Sequence, residues 1–221
     1  MLYIVATPIG NLGDITLRAV ETLKACDFVM AENPGYSQRL LQNIGAWPKN
    51  MVQFAEYNEK ETVKDLTRKL SKQDGCLITD AGTPGISDPG FRLVRECIAQ
   101  GVQIVPIPGA NAAITALSAG GLPTDRFMFL GFLQKTATKT LEALQAAADA
   151  EATAIFYESP DRILKTLNYI SNAFPTSHVA AARELTKIHE EFIRGTPMQV
   201  SDELKKRPTI KGEFTVLVSF K

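Results

Sequence analysis

Apolar residues alternate with polar ones in short runs along the first half of the chain, and each run gives way to a helical spacing. Leu2–Ala6 alternates and is rich in β-formers, so it predicts a strand; Leu17, Val20 and Leu23 then recur as on one face of a helix, with Asp14 offered as its N-cap. Phe28–Ala31 reads as a second strand, ending at Glu32, and Asn33-Pro34-Gly35 as a turn. A helix over Ser37–Ile44 stops at Gly45, Met51–Ala55 is a strand, and Lys60–Lys72 is a charged amphipathic helix ended by Asp74-Gly75. The apolar run Cys76–Thr79, the helix Phe91–Ala99, the strand Gln103–Ile107 and the small-residue helix Ala112–Ala119 continue the alternation. Strand and helix in turn imply βαβ units and a parallel sheet.

The second half reads differently. Strands are expected at Arg126–Leu133, Ala154–Tyr157, Val179–Ala182, Glu190–Gly195 and Phe214–Phe220, with helices at Lys139–Ala150 and Arg162–Phe174. Two late strands with little helix between them imply antiparallel pairing and a mixed sheet. The expected fold is therefore α/β with two domains, a parallel Rossmann-like sheet in residues 1–112 and a mixed sheet in residues 113–221.

Between Cys76–Thr79 and Phe91–Ala99 lies Asp80-Ala81-Gly82-Thr83-Pro84-Gly85-Ile86-Ser87-Asp88-Pro89-Gly90. A plain strand-to-helix connection needs only about 2–6 residues. Glycine permits close approach of backbone to a ligand, and proline fixes loop shape. With Thr7–Leu12, Glu32–Tyr36 and Pro108–Asn111, this loop should open on one edge of the parallel sheet, where ligands of α/β proteins bind.

Composition narrows the chemistry. The 221 residues carry 24 Lys plus Arg against 24 Asp plus Glu, so there is no global attraction for nucleic acid or an acidic membrane. Apolar residues make up 45%, enough for a sizeable core. Cys26, Cys76 and Cys97 sit in apolar surroundings without metal spacing, which points to buried thiols in a reducing, cytoplasmic setting. The chain opens directly on a strand rather than a leader, and no apolar run reaches the ~18 residues of a membrane span. The loops offer no Cys and no His for covalent catalysis, and no carboxylate or histidine cluster has metal-ligand spacing. Thr7–Leu12 lacks both the Gly-Lys-Ser/Thr of a nucleotide P-loop and a full GxGxxG. A backbone-rich cleft of this kind suits a cofactor that is already activated, such as a sulfonium methyl donor.

Particular motifs carry a resemblance. Leu2–Leu12 with Asp14-Ile15-Thr16, Asp80–Gly90, Pro106–Gly109, Leu122–Phe127, Phe156–Pro160, Ala182–Lys187 and Gly212-Glu213-Phe214 resemble the ribosomal RNA small subunit methyltransferase I family. That family comprises 2′-O-ribose cytidine methylases of the tetrapyrrole methylase superfamily. The resemblance implies a homodimer of two-domain α/β chains, with S-adenosyl-L-methionine in the cleft between the domains and the small ribosomal subunit as partner. The lack of metal-ligand spacing and of a membrane-length apolar run predicts no metal and no membrane partner.

Residue by residue, it puts Pro8 and Gly10 on the methionine and acceptor side of the cofactor, and Gly82, Thr83, Pro84 and Ile86 along it. Asn111 and Ala112, after Pro108-Gly109, take the matching cofactor position. Phe132, Ala182 and Glu213-Phe214 would wall the adenosine. A ribose hydroxyl must lose its proton or have its oxyanion stabilised, and Glu32, Glu158, Arg183, Lys187 and Glu213 are the candidates, each with an inter-domain ion pair as its plain structural alternative. Arg183, Lys187, Arg194, Lys205, Lys206, Arg207 and Lys211 make the last quarter locally basic, to track RNA phosphates or to form a solvated face offset by nearby acids.

The chain departs from the family where RNA or acceptor would meet it. Asn33-Pro34-Gly35 stands in place of Asp-Thr-Arg after Glu32, Ala55–Glu59 carries no histidine, Gln134–Lys139 is thin in charge, and the sequence ends at Lys221 where a small helical domain is usual. Two further readings stay open. One is a methylase of the same fold for a small-molecule, tetrapyrrole-like or peptide acceptor; the other is a non-catalytic dimeric cofactor-binding module.

Overall fold

The computed structural model describes all residues from Met1 to Lys221 and divides into two units, Met1–Asn111 and Ala112–Lys221. The first unit holds strands β1 (Leu2–Val5), β2 (Phe28–Ala31), β3 (Asn50–Gln53), β4 (Gly75–Ile78) and β5 (Ile104–Ile107). They form one sheet in the order β3-β2-β4-β1-β5, and every neighbouring pair is parallel. Helices α1 (Leu17–Ala25), α2 (Pro34–Asn43), α3 (Glu59–Leu70) and α4 (Phe91–Ala99) lie between strands in the chain. The period of two explains why both sheet faces are apolar: Phe28 and Met30 enter a core with Leu66, Leu70, Leu93 and Cys97, while Val29 and Ala31 enter another with Leu23 and Leu41.

The second unit holds α5 (Ala112–Gly120), β6 (Phe127–Phe132), α6 (Ala137–Asp149), β7 (Thr153–Glu158), α7 (Ile163–Ala173), β8 (His178–Arg183), β9 (Glu191–Gly195), α8 (Pro197–Lys205) and β10 (Phe214–Ser219). Its sheet runs β6-β7-β10-β8-β9. Only β6 and β7 are parallel; β10 pairs antiparallel with both β7 and β8, and β8 antiparallel with β9. Leu144, Leu167, Ile170, Val200 and Leu204 pack with Phe156, Val216 and Val218 as its core. Against Leu217 and Ala180 of the sheet lies Gly120 of α5; a Cβ there would stand 2.5 Å from Leu217 Cδ1, so only glycine allows this approach.

Three local expectations are corrected. Asn33-Pro34-Gly35 is no free turn: Asn33 caps α2 by accepting from the Tyr36 N–H, and Pro34 sits in the first turn, where its missing N–H costs nothing. Thr16, rather than Asp14, caps α1 through the Ala19 N–H at 3.1 Å, and Asp14 belongs to a short 3-10 turn, Leu12–Asp14. The mixed sheet is real, yet β9 and β10 are neither neighbours nor joined by a bare loop. Helix α8 separates them, opened by a capping box between Thr196 and Gln199 with Pro197 behind it. Only Pro197, Val200, Ser201 and Leu204 of α8 are buried, so its apolar stripe is thin.

No helix is long and apolar enough to cross a membrane.

Candidate active site

Because β1, β2, β4 and β5 run parallel, the loops after them leave the first unit's sheet at its carboxyl edge. Two of these loops are clasped together: the Thr7 N–H donates to the Gly82 carbonyl at 2.9 Å and the Gly82 N–H returns to the Thr7 carbonyl at 3.1 Å. Thr7 Oγ1 also donates to the Thr79 carbonyl at 3.2 Å, and Thr83 Oγ1 ties the central loop to Ala110 at 3.1 Å. Gly82 has φ of +81°, and a Cβ on it would touch Ile9 Cγ2 at 3.4 Å. That is an ordinary contact distance, so the glycine is required by the positive φ of the turn rather than by crowding. Pro84 is buried and Ile86 exposed, as are Gly10, Pro108 and Gly109, whereas Pro8, Thr83 and Asn111 are half-buried.

Three carboxylates gather on this edge: Glu32 after β2, Asp80 after β4, and Asp88 late in the central loop. Burial pushes the Glu32 carboxyl up, the Asp80 backbone amide relieves part of that, and the charges of Asp80 and Glu56 add to it. Burial likewise raises Asp80, partly offset by the Asn33 backbone. Asp88 is pushed up to about 6, first by burial and then by the charge of Glu32, against some relief from the Thr79 hydroxyl. No lysine or arginine is among the groups that act on these three. Such a site holds protons more readily than free carboxylates do, and it favours a cation. Sequence reasoning selected Glu32 but passed over Asp80 and Asp88, although both lie in the central loop; two aspartates eight residues apart gave no sign that the loop folds them back beside β2.

The remaining proton-transfer candidates all lie in the second unit, and each is already engaged there. Glu158, 3% exposed, accepts from the Ser159 N–H at 2.9 Å and from Thr166 Oγ1 at 2.6 Å, and faces Arg162 Nε at 3.3 Å. Arg183 pairs with Glu191 at 2.8 Å and donates to the Lys211 carbonyl. Glu191 also receives both ends of the Arg207 guanidinium, and these arginines, Arg207 foremost, bring its carboxyl down to about 2. Lys187 bridges Glu184 at 2.9 Å and Glu213 at 2.8 Å. The ion pairs foreseen as the plain alternative therefore exist, but within one unit rather than between domains.

The basic stretch is largely self-neutralised. Lys205 pairs with Asp202, Lys206 with Glu203, and Arg194 donates to the Ala119 and Gly120 carbonyls while lying over the Phe192 ring. Of the four residues expected to wall an adenosine, Glu213 is exposed and paired with Lys187, and Phe132 is 61% exposed and meets the Tyr157 ring edge-on at 5.5 Å. The Phe214 ring is in the second unit's core and Ala182 is fully buried, so as side chains they offer no open wall. No group of three or more His, Cys, Asp or Glu residues is arranged to hold a metal ion.

Comparison with known proteins places this geometry. Residues 1–200 match the family model for Tetrapyrrole (Corrin/Porphyrin) Methylases. The chain is 44% identical over 218 residues to ribosomal RNA small subunit methyltransferase I of Halalkalibacterium halodurans, covering 98% of this chain and 75% of that protein. It is also 44% identical to the protein of the same name from a Hydrogenobaculum species, covering 99% of this chain and 95% of the relative. Among solved structures, diphthine synthase superposes with a TM-score of 0.75 at 16% identity, covering 99% of this chain and 89% of that one. A cobalt precorrin-4 methyltransferase from cobalamin biosynthesis gives 0.68 at 20% identity, covering 98% and 93%. At these identities the two structures speak for the fold alone.

Proposed function

The chain belongs to the ribosomal RNA small subunit methyltransferase I family of tetrapyrrole methylases, and from that premise we propose that it methylates a ribose 2′-hydroxyl of small-subunit ribosomal RNA. The names of its relatives support the RNA acceptor. The observation that carries the chemistry is Glu32, a carboxylate of raised pKa at the carboxyl edge with no cation beside it.

S-adenosyl-L-methionine fits as the methyl donor. Its sulfonium and ammonium charges suit an edge that gathers Glu32, Asp80 and Asp88 without a lysine or arginine among the groups acting on them. When bound, it supplies an electrophilic methyl group and leaves as a neutral thioether. We assign its retention to Pro8, Gly10, Gly82, Thr83, Pro84, Ile86, Pro108, Gly109, Asn111 and Ala112, with Phe132 as the exposed ring and the backbones of Ala182 and Phe214 contributing. Glu32 takes the hydroxyl proton, and its raised pKa makes it a better base than a solvated carboxylate. Glu158, Arg183, Lys187 and Glu213 hold the second unit's strand ends in place. The homodimer implied by the resemblance is part of the same proposal.

Calorimetric titration with S-adenosylmethionine, followed by tritium transfer to small ribosomal subunits that lack the modification, tests this. Labelled RNA supports the reading. Donor binding without labelled RNA moves the acceptor to a small molecule or peptide, as the internally paired basic residues of the second unit would then explain. An absence of donor binding leaves a non-catalytic module.

A further inference from the structure

Two of the three cysteines meet inside the first unit. Cys26 closes α1, while Cys76 sits on β4, paired with Tyr3 of β1 on one side and Val29 of β2 on the other. Their sulfurs turn towards the same end of the helix: Cys26 Sγ donates to the Leu23 carbonyl at 3.4 Å, and Cys76 Sγ to the adjacent Thr22 carbonyl at 3.8 Å. The two thiols also lie within hydrogen-bonding reach of each other. Cys97 is as deeply buried but belongs to the apolar cluster on the sheet's other face, where the Thr67 hydroxyl lies 3.8 Å from its sulfur. One chain thus holds a thiol pair and a solitary thiol in comparable burial.

The pair is not symmetric. Lys49 Nζ donates to the Lys24 carbonyl at 2.7 Å and to the Cys26 carbonyl, which fixes an ammonium beside the two sulfurs. The hydrogen bond from the Cys76 thiol, helped by the Lys49 charge, outweighs burial and brings Cys26 below the usual thiol value; the same hydrogen bond and then burial keep the proton on Cys76. Access divides them in the same sense. Cys26 is 3% exposed at a helix end, whereas Cys76 is fully enclosed in the sheet. The last turn of a helix opens at far lower free energy than the interior of a sheet, so the outer thiol meets solvent with the inner one behind it.

We propose that Cys26 and Cys76 together form a site at which hydrogen peroxide is reduced and the oxidation is stored as a reversible disulfide. Cys26, as its thiolate, attacks one peroxide oxygen; the O–O bond breaks, and the other oxygen leaves as hydroxide, which takes the proton shed by the thiol and becomes water. The Cys76 sulfur then attacks the sulfenic sulfur, the S–O bond breaks, and the departing hydroxide takes the Cys76 proton as a second water. Both sulfurs are oxidised, both peroxide oxygens are reduced, and a dithiol reductant returns the pair to thiols. Capture by Cys76 spares Cys26 the irreversible steps to sulfinic and sulfonic acid. The bond staples the last turn of α1 to β4, the strand that leads into the central loop.

The test treats the full chain, shown to be folded by circular dichroism, with hydrogen peroxide. Intact mass should fall by about 2 Da, the two thiol hydrogens, and a peptide map should join Cys26 to Cys76. After unfolding, iodoacetamide should label Cys97 alone, and dithiothreitol should restore all three thiols. Cys76→Ala should leave a sulfenic acid on Cys26 open to trapping by dimedone, and Cys26→Ser should form neither that adduct nor the bond. An unchanged mass, or oxygen added in place of the disulfide, would overturn the inference. So would oxidation of Cys97 in step with the pair, because unfolding rather than the site would then govern reactivity. The wild-type readings decide the matter even where a variant fails to fold.

Discussion

Glu59 Oε1 accepts a hydrogen bond from the Gly90 N–H at 3.2 Å, across 31 residues of chain, and another from the Arg92 N–H at 3.1 Å. Gly90 is the residue before α4 and has no side chain with which to cap it; its φ of +143° is one that other residues rarely adopt. A carboxylate at the start of α3 thus caps α4 from outside and anchors the end of the central loop, with Arg92 Nε at 3.4 Å from its other oxygen. Its 6% exposure keeps water from replacing these bonds. Glu59→Ala should therefore lose about 2–3 kcal/mol in denaturant unfolding, more than an ordinary cap, because the bonds are charge-assisted and buried. The loop it anchors should also loosen, so donor affinity should fall with stability, and Glu59→Gln should recover part of both.

Glu32 and Glu158 make opposite predictions. Glu32→Gln should fold normally and lose about 10²–10⁴-fold in the rate of methyl transfer, the usual contribution of a positioned base. Glu158→Gln should instead lower the melting temperature, since Ser159, Thr166 and Arg162 all depend on its oxygens, and should lose activity only in step with folding. Thermal melts and single-turnover tritium transfer on both variants check the pair.

The strands, the alternation of the first half and the glycine-rich loop were legible because they depend on local periodicity and on turn residues. The carboxylate cluster was not. Glu32, Asp80 and Asp88 meet only because β2 and β4 are neighbours while β1 and β5 lie beyond, an order that no local pattern encodes. Helix α8 was missed because, beyond Pro197 of its first turn, just Val200 and Leu204 mark its apolar buried face, although Thr196-Pro197 with Gln199 carried the start signal. Glu59 stood in a stretch noted only for lacking a histidine, and its role depends on α4, which is remote in sequence. The ion pairs of the second unit were foreseen as an alternative, but the partners of Arg183 and Lys187 follow from the pairing of β8 with β9 and β10.

Acid–base titration of stability should show two opposed slopes. Asp88 has its pKa raised in the fold from 3.8 to about 6, so the folded chain holds that proton more tightly than the unfolded one. Its contribution is present below pH ~4 and is lost as pH rises through about 6. Glu191 is the reverse: lowered from 4.5 to about 2, its contribution is present above pH ~4.5 and is lost as pH falls through about 2. Asp88→Asn should flatten the decline between pH 4 and 6 in chemical denaturation, and Glu191→Gln should remove the acid-side loss; both effects are moderated by solvent.

Gly120 sets a packing limit in the second unit. Gly120→Ala must displace Leu217 or lift α5 from the sheet, because the added methyl would stand 2.5 Å from Leu217 Cδ1. Overpacking of this kind costs about 1–3 kcal/mol, measurable by thermal melting, and Leu217→Ala in the same chain should relieve part of it.

Strand β1 lies inside the first sheet, between β4 and β5. At roughly 5–20 residues per second on a ribosome, some 5–20 seconds separate the synthesis of Leu2–Val5 from that of Ile104–Ile107. The strand made earliest is enclosed last: both its edges stay unpaired until β4 emerges, and one stays unpaired until β5, so an apolar segment must be kept from other nascent chains throughout. The clasp between Thr7 and Gly82 follows the same schedule, since it cannot close before β4 arrives, so the growing polypeptide carries no early version of the proposed donor site.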